Sequence, residues 1–558
     1  MQNKNNLIKI KDLSINFGKT SAVKQADIII KQSDIMGLVG ESGSGKSTLA
    51  NSIIGLLPHS ANIIEGTMEF EGRDMLKFTK NQWQELRGRE ISYVSQDPMS
   101  ALNPTLSIGR QMLDIQHRID KTNQIKLKNA LNALEQVRMP NAKSRLDMYP
   151  HELSGGQKQR VCIAMAIMSR PKLLIADEVT TALDATLEVQ IINLLKDLQS
   201  DIGCAMLFVT HHLTVVEALC NEVTVMYNGN IRETGSVQKV FSNPSDGYTK
   251  SLLLCDPARI PEKCRRLPVM SKPELKSVAD PELDKTRIDT SAKPALLVNN
   301  LNVKFSIPRS FTELLLGRSK KSIEAVKNAS FSIAIGETVA LVGESGSGKS
   351  TIARSVFQIV EAQSGKVMFD NIDLLQATPN QMQVAKTHMS MMMQDPIGSL
   401  SPRLTIGEAL IEPYLITGKS SEINLSNESN RLLELVGLPS EFSKKYPHEL
   451  SGGQARRVGV ARALALNPKL VIADEPTAGL DVSIQGEVFN LLASLREKMK
   501  LSILIITHNL HVVRHLADRI IIIYQGQIVE TGNTETIMSN PSHDYTKKLL
   551  AANLQAKY

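Results

Sequence analysis

The 558-residue chain has no apolar run long enough to cross a bilayer. Its strongest candidates, LSILIIT at 501–507 and IIII at 520–523, fall far short of the roughly 20 residues a membrane helix needs. They read instead as buried strands of a parallel sheet. The opening stretch MQNKNNLIKIKD lacks an apolar core of the signal-peptide kind, so no secretory leader is expected. Cysteine is scarce: Cys162, Cys204, Cys220, Cys255 and Cys264 include no C-x-x-C pair, which excludes the common zinc and dithiol motifs. An odd number of scattered thiols suits a reducing cytosol. Cys255 and Cys264 stand close together and are expected as free thiols, with ligation of some group as the alternative. A strong charge of one sign is also missing. Lys and Arg number 64 against 57 Asp and Glu, a net +7 that allows a basic patch but not a dedicated nucleic-acid binder. The 42% apolar and 22% charged fractions are those of an ordinary soluble protein, and the length allows two or more domains with full cores.

What is present is a repetition. LVGESGSGKST runs from Leu38 to Thr48 and again, letter for letter, from Leu341 to Thr351. SGGQ begins at Ser154 and Ser451, and IADE ends at Glu178 and Glu475. Asp184 stands opposite Asp481, His211 opposite His508, and NPSDGYTKSLL from Asn243 opposite NPSHDYTKKLL from Asn540. The offset is 303 residues at the lysines of the loops (349 − 46) and 297 from the SGGQ motifs onward (451 − 154). That pattern is a duplication of a whole domain, with small length changes in between. Domains are expected over 1–255 and 295–558. Between them, 256–294 carries prolines at 257, 261, 268, 273, 281 and 294 and reads as a partly extended linker. The second copy has about 15 extra residues between Phe305 and Val326, including Arg309, Arg318, Lys320 and Lys321. A solvated hairpin is expected there; a contact with phospholipid or a partner is the alternative.

Each loop has the context that G-x-x-x-x-G-K-[ST] requires: an apolar strand before it and an amphipathic helix after it. Gly40, Gly43 and Gly45, and Gly343, Gly346 and Gly348, let the backbone curl its N–H groups around a phosphate at a helix start. Lys46 and Lys349 would reach the β- and γ-phosphates, and the hydroxyls of Ser47 and Ser350 would ligate Mg²⁺, with Thr48 and Thr351 closing the loops. The strands KLLIADE (172–178) and KLVIADE (469–475) end on paired carboxylates. Asp177 and Asp474 suit the magnesium; Glu178 and Glu475 are placed to act as general bases on the attacking water. YPHELSGGQ precedes each acidic strand. Its Ser-Gly-Gly turn, Ser154, Gly155, Gly156 and Gln157 or Ser451, Gly452, Gly453 and Gln454, opens a helix and is itself an anion site. To this point the residues describe a nucleoside triphosphatase with two loops and two extra phosphate-binding helix starts.

LSGGQ between a glycine loop and a D-E strand resembles the signature of the ABC ATPase family, over nearly the whole chain outside the linker. The resemblance implies an α/β fold: two tandem P-loop domains, each a RecA-like core with a helical and an antiparallel β subdomain. It implies ATP and Mg²⁺ as ligands. It also assigns Gln96 and Gln394 to the magnesium and the reaction, Asp184 and Asp481 to the nucleotide, and His211 and His508 as switch histidines. In that family each ATP is held by one domain's loop and closed over by the other domain's signature, which gives two identical loops a reason to share a chain. Phe17 is the adenine-stacking candidate, and Phe305 a weaker one.

QDPxxxLxPxxxIG, YPHELSGGQ, PKLLIADE and the NPSxxYTKxLL tail further resemble the ATP-binding subunits of dipeptide, oligopeptide and nickel importers. This implies ATP hydrolysis coupled to uptake of peptides or related small solutes, glutathione-like compounds and metal chelates included. It also implies two transmembrane permease partners, an extracytoplasmic solute-binding protein, and a peripheral position on the cytoplasmic face of a bacterial inner membrane. MSALNPTLSIG and IGSLSPRLTIG would form the grooves for the permeases' cytoplasmic helices. Ribosome-acting tandem ABC proteins are the competing class, but they carry a long charged helical pair where this chain is proline-broken. DNA-repair ABC ATPases carry zinc modules, which the missing C-x-x-C argues against. Three departures stand out: Val179 where Pro476 keeps the expected proline, ARR after the second signature for KQR after the first, and His212 and Asn509 where aspartate is usual.

Overall fold

The computed structural model describes residues 6–117, 121–180, 183–260, 263–264, 266–270, 293–306, 322–419, 421 and 424–554. The chain divides into two compact units, Met1–Arg259 with Gln555–Tyr558, and Ile260–Leu554.

In the first unit a six-stranded sheet runs in the order Asn230–Ser236, Glu222–Tyr227, Ile35–Val39, Ala205–Thr210, Leu173–Asp177, Ile91–Val94. All pairs are parallel except the outermost, Asn230–Ser236 on Glu222–Tyr227. The central strands are buried at every position, as continuous apolar runs covered on both faces should be. A second sheet, ordered Thr20–Lys31, Asn6–Phe17, Ala61–Phe70, Arg73–Asp74, is antiparallel. Its strands alternate: Ile28 and Ile30 are buried and Ile29 is exposed, so one face meets the core and the other meets water. Helices Ile108–Asp114, Asn123–Gln136 and Gly155–Ile167 make a third layer, whose apolar sides enter one core with the strand Leu173–Asp177.

The second unit repeats this element for element. Its six strands are ordered Met389–Met392, Leu470–Asp474, Ser502–Thr507, Thr338–Val342, Arg519–Tyr524, Gln527–Asn533, and its antiparallel sheet Ser322–Ile333, Leu296–Ser306, Ser364–Phe369, Ile372–Asp373. The runs read as parallel strands at 501–507 and 520–523 are Ser502–Thr507 and Arg519–Tyr524, both parallel to Thr338–Val342. The α/β reading of two cassettes with helical and antiparallel subdomains stands. The insert hairpin expected between Phe305 and Val326 lies mostly outside the described residues.

Of the 256–294 stretch, Pro257–Arg259 makes a 3₁₀ turn in the first unit. Residues 266–270 lie as a strap on the second unit's helix Val482–Met499. Asn490 holds Leu267 by both backbone groups, at 2.8 Å from Leu267 N to Oδ1 and 2.8 Å from Nδ2 to Leu267 O. Arg266 donates to Asn490 O at 2.7 Å and pairs with Glu497 at 3.1 Å. Leu267 packs into a buried cluster with Phe489 and Val512. The strap lies so close that a Cβ on Gly486 would sit 2.8 Å from Pro268 O, which explains a glycine inside that helix. Cys264 N donates to Nδ1 of buried His515 at 3.1 Å. Cys255 and Cys264 are both buried. Among the described residues no cluster of three or more His, Cys, Asp or Glu groups is placed to hold a metal ion.

Candidate ATP sites

The strand Ile35–Val39 delivers the chain into the glycine loop, and the helix Lys46–Ile53 leaves it; Thr338–Val342 and Lys349–Val356 do the same in the second unit. Gly45 and Gly348 cap those helices at φ 102° and 106°, and a Cβ on either would lie 2.4 Å from the carbonyl oxygen of Ala22 or Ala325. No other residue fits there. The loop lysines are buried within their own loops. Lys46 Nζ donates to Gly40 O at 2.7 Å and Glu41 O at 2.8 Å, and Lys349 Nζ donates to Gly343 O and Glu344 O at 2.7 Å each. Each ammonium is thus held by two carbonyls of its own glycine loop. Glu344 N donates to the hydroxyl of Tyr545 at 3.0 Å, and Tyr545 stacks on Tyr524, so the C-terminal helix braces the second loop.

The acidic strands Leu173–Asp177 and Leu470–Asp474 lie one strand away from the loop strand in each sheet. Asp177 Oδ1 accepts from Ser47 Oγ at 3.4 Å, and Asp474 Oδ1 from Ser350 Oγ at 3.2 Å. The next residues, Glu178 and Glu475, both adopt φ 47°, a left-handed conformation that costs a non-glycine residue about 1 kcal/mol. Their N–H groups stay on the neighbouring strand, donating to Val209 O and Ile506 O at 2.8 Å. The turn aims each carboxylate between two side chains from elsewhere. Gln96 Nε2 donates to Glu178 Oε2 at 2.6 Å, and His211 Nδ1 lies 3.2 Å from Oε1. Gln394 Nε2 donates to Glu475 Oε2 at 2.9 Å, and His508 Nδ1 lies 3.0 Å from Oε1. Three motifs read separately in the sequence meet here on one carboxylate, twice.

The electrostatics of the adjacent acids diverge. Burial pushes the Asp177 and Asp474 carboxyls up, against the pull of the Ser47 or Ser350 hydroxyl and, for Asp177, that of Tyr93. Burial would raise Glu178 and Glu475 too, but the hydrogen bonds and charges of His211 and His508 hold them below the ordinary value.

The signature serines cap the helices Gly155–Ile167 and Gly452–Leu464 through reciprocal capping boxes with Gln157 and Gln454. Ser154, Gly155, Ser451 and Gly452 are exposed, while Gly156 and Gly453 are buried. Asp184 caps the helix Ala185–Ile202, accepting from Leu187 N at 3.0 Å; Asp481 stands at the start of Val482–Met499. Phe17 and Phe305 occupy matching register positions, each nine residues beyond a residue (Ile8, Leu296) that pairs with the last phenylalanine of the neighbouring strand. In the candidate docking segments Met99 is 58% and Ile397 41% exposed.

Two residues have contacts at the sites that their place in the sequence does not announce. Tyr93, inside an apolar strand, donates its hydroxyl to Asp177 Oδ2 at 2.9 Å; the corresponding residue of the second copy is Met391. Buried Arg456 donates to Gln394 O at 2.7 Å and Ala478 O at 3.0 Å, tying the glutamine's loop to the segment after the acidic strand. Its counterpart Gln159 is equally buried, and its Nε2 has no hydrogen-bond partner. The ARR-for-KQR difference is therefore a difference in how the two sites are braced.

Two phosphate loops, each set against an acidic strand end and a glutamine–glutamate–histidine cluster, define a P-loop nucleoside triphosphatase with two complete cassettes. A model of the ABC transporter family matches residues 23–181 and 326–478, and one of the oligopeptide/dipeptide transporter C-terminal region matches 529–557. The chain is 39% identical over 562 aligned residues to the glutathione import ATP-binding protein GsiA of Shigella dysenteriae serotype 1, covering 98% of this chain and 89% of that protein. It is 38% identical to GsiA of Escherichia coli K12 over the same shares. Among solved structures, cbiO1 from Clostridium perfringens, part of the ABC transporter complex cbiONQ, matches 43% of this chain and 92% of its own at 28% identity and a TM-score of 0.39. The chain belongs to the ABC transporter family, with two ATP-binding cassettes in one polypeptide. It is an ATP-hydrolysing importer subunit; relatives matched over nearly its whole length favour that over a role on ribosomes. Among the described residues no helix is long and apolar enough to cross a membrane.

Proposed function

We propose that each cassette hydrolyses Mg-ATP with Glu178 or Glu475 as general base, and that this turnover drives import of glutathione-like or short peptides. The observation that carries the catalytic half is the repeated grip: in both units the same glutamate, at the same positive φ, lies between a glutamine and a histidine. A carboxylate held below its ordinary pKa is ionised at neutral pH and can take the proton of an attacking water. Lys46 and Lys349 would leave their loop carbonyls for the β- and γ-phosphates, and His211 and His508 would face the γ-phosphate. Phe17 and Phe305 would stack on adenine. Exposed Ser154 and Ser451, with their glycines, would offer N–H groups to phosphate.

Ser47, Gln96 and Asp177 would hold a magnesium ion in the first cassette, and Ser350, Gln394 and Asp474 in the second. Hard oxygen donors suit that ion, and the serine–aspartate distances of 3.4 and 3.2 Å bring two of the three together. When bound, the ion neutralises charge on the β- and γ-oxygens. It would also favour the ionised form of the two buried aspartates.

The solute assignment rests on the relatives, named for glutathione import, and on the oligopeptide/dipeptide tail. The partners are two permeases, received near Met99 and Ile397, and through them a solute-binding protein outside the membrane. The chain then works peripherally on the cytoplasmic face. The test is reconstitution of the chain with its permeases and binding protein in vesicles. ATP-dependent uptake of labelled glutathione, competed by short peptides, is expected. Uptake of a nickel chelate, with neither glutathione nor peptide competing, would overturn the solute.

A further inference from the structure

The position after each switch histidine is wired differently in the two cassettes. In the second, Asn509 turns its side chain onto its own helix, accepting from His511 N at 3.1 Å and Val512 N at 3.3 Å. Gln485, on the neighbouring helix, donates to Leu480 O at 2.9 Å. In the first cassette those two positions hold His212 and Glu188, and they bind each other: His212 Nδ1 lies 3.1 Å from Glu188 Oε1. His212 makes no side-chain cap to its helix Leu213–Leu219. Its ring instead meets that of His211 edge to face, with centroids 4.4 Å apart and planes at 87°. His211 in turn touches the catalytic glutamate and is 6% exposed, against 30% for His508. A chain of contacts, Glu188–His212–His211–Glu178, thus runs from a helix face to the proposed base in one cassette only.

We propose that His212 and Glu188 form a positioning pair for His211 that makes turnover at the first ATP site, and not the second, depend on the protonation of His212. This rests on the assignment of Glu178 as base and His211 as its partner. The charged groups around His212 are nearly all acidic. Glu188 faces it from the helix Ala185–Ile202, Asp256 from beyond the helix Gly247–Leu254, and Glu178 from the turn after the acidic strand. Arg259, three residues after Asp256, is turned to Glu217 and lies 3.9 Å from Asp256. Burial alone would lower the His212 pKa, but Glu188, with Asp256 and Glu178 behind it, raises it above the ordinary 6.5. The imidazolium therefore persists to higher pH than that of an ordinary histidine and is lost as pH rises through the raised value. Its loss removes the ion pair that seats the ring against His211. Asn509 and Gln485 have no proton to lose.

Steady-state ATPase of the full chain at saturating ATP, from pH 6.5 to 9.5, reads the proposal. The expected profile has an alkaline limb with an apparent pKa above 6.5. His212→Asn should remove the limb and lower first-site kcat roughly tenfold through misplacement of His211, with KM little changed. Glu188→Gln should move the limb to lower pH, and Glu188→Asp should restore it. The mirror pair Asn509→His with Gln485→Glu should deepen the limb by adding a second titrating site. Histidine-selective NMR, with the signal assigned by its loss in His212→Asn, gives the His212 titration directly and decides the matter where a variant folds poorly. A His212→Asn profile superimposable on the parent, or a His212 titration at or below 6.5, overturns the proposal. Absence of hydrolysis in the parent chain would instead refute the assignment of the base, while the NMR titration still reports on His212.

Discussion

The two cassettes share every group that touches the proposed chemistry and differ in what braces those groups. Lysine, serine, aspartate, glutamate, glutamine and histidine recur in both with contacts alike to within a few tenths of an ångström. One step out, they part. The first cassette supports Asp177 with the Tyr93 hydroxyl and His211 with the His212–Glu188 pair. The second has methionine, asparagine and glutamine at those places, but ties its glutamine loop down with Arg456, where the first leaves Gln159 Nε2 unpaired. Val179 and Pro476 are both buried, and nothing in the structure ties that substitution to a ligand contact. A duplicated site thus keeps its reacting groups and drifts in their supports, so the two halves are expected to differ in rate and pH response rather than in chemistry.

The largest effect should come from abolishing what the cassettes share. Glu178→Gln with Glu475→Gln keeps size and most hydrogen bonding but removes the proton acceptor. Turnover should fall about 10²–10⁴-fold with Mg-ATP binding retained, as steady-state ATPase beside equilibrium binding will show. Next is the brace of the second cassette. Arg456→Gln deletes two charge-assisted bonds from a buried guanidinium and should cost about 2–3 kcal/mol, seen by calorimetry as an earlier transition of the second unit alone. The strap gives a similar but slightly smaller effect. A second cassette begun at residue 295 exposes the surface that Leu267 covers on Phe489 and Val512, and should be about 2 kcal/mol less stable than one begun at 260. The smallest is Tyr93→Phe. Burial already raises the Asp177 pKa, and the Tyr93 hydroxyl opposes that. Without it the carboxyl protonates at higher pH, so the acid limb of first-site activity should move to higher pH. Met391→Tyr should move the second-site limb down.

Most of the candidate reacting set was legible because it lies in short motifs whose geometry is local. A glycine loop between strand and helix, or an apolar strand ending in two acids, needs no distant partner to be recognised. The convergence of Gln96, Glu178 and His211 was legible only through the family resemblance, since 82 and 33 residues separate them along the chain. What stayed hidden depends on neighbours the sequence does not announce. Tyr93 in ISYV reads as a strand residue, and only the pairing of Ile91–Val94 with Leu173–Asp177 brings its hydroxyl to a carboxylate. The ARR departure was visible, but not that Arg456 would reach two carbonyls. The proline-rich stretch after Arg259 reads as a partly extended linker, a reading that does not announce that its described residues 266–270 dock on a helix whose Asn490 matches the N–H and C=O groups of Leu267. Phe305, the weaker adenine candidate, holds in its own sheet the register position that Phe17 holds in the first.

The central claim is that one chain carries two independent, complete ATP-binding loops around two like catalytic glutamates. The most direct measurement is the number of ATP molecules bound per chain at saturation by the Glu178→Gln, Glu475→Gln variant, which holds nucleotide without consuming it. Two are predicted, falling to one when either Lys46→Ala or Lys349→Ala is added. A stoichiometry of one in the variant with both lysines intact would contradict the account.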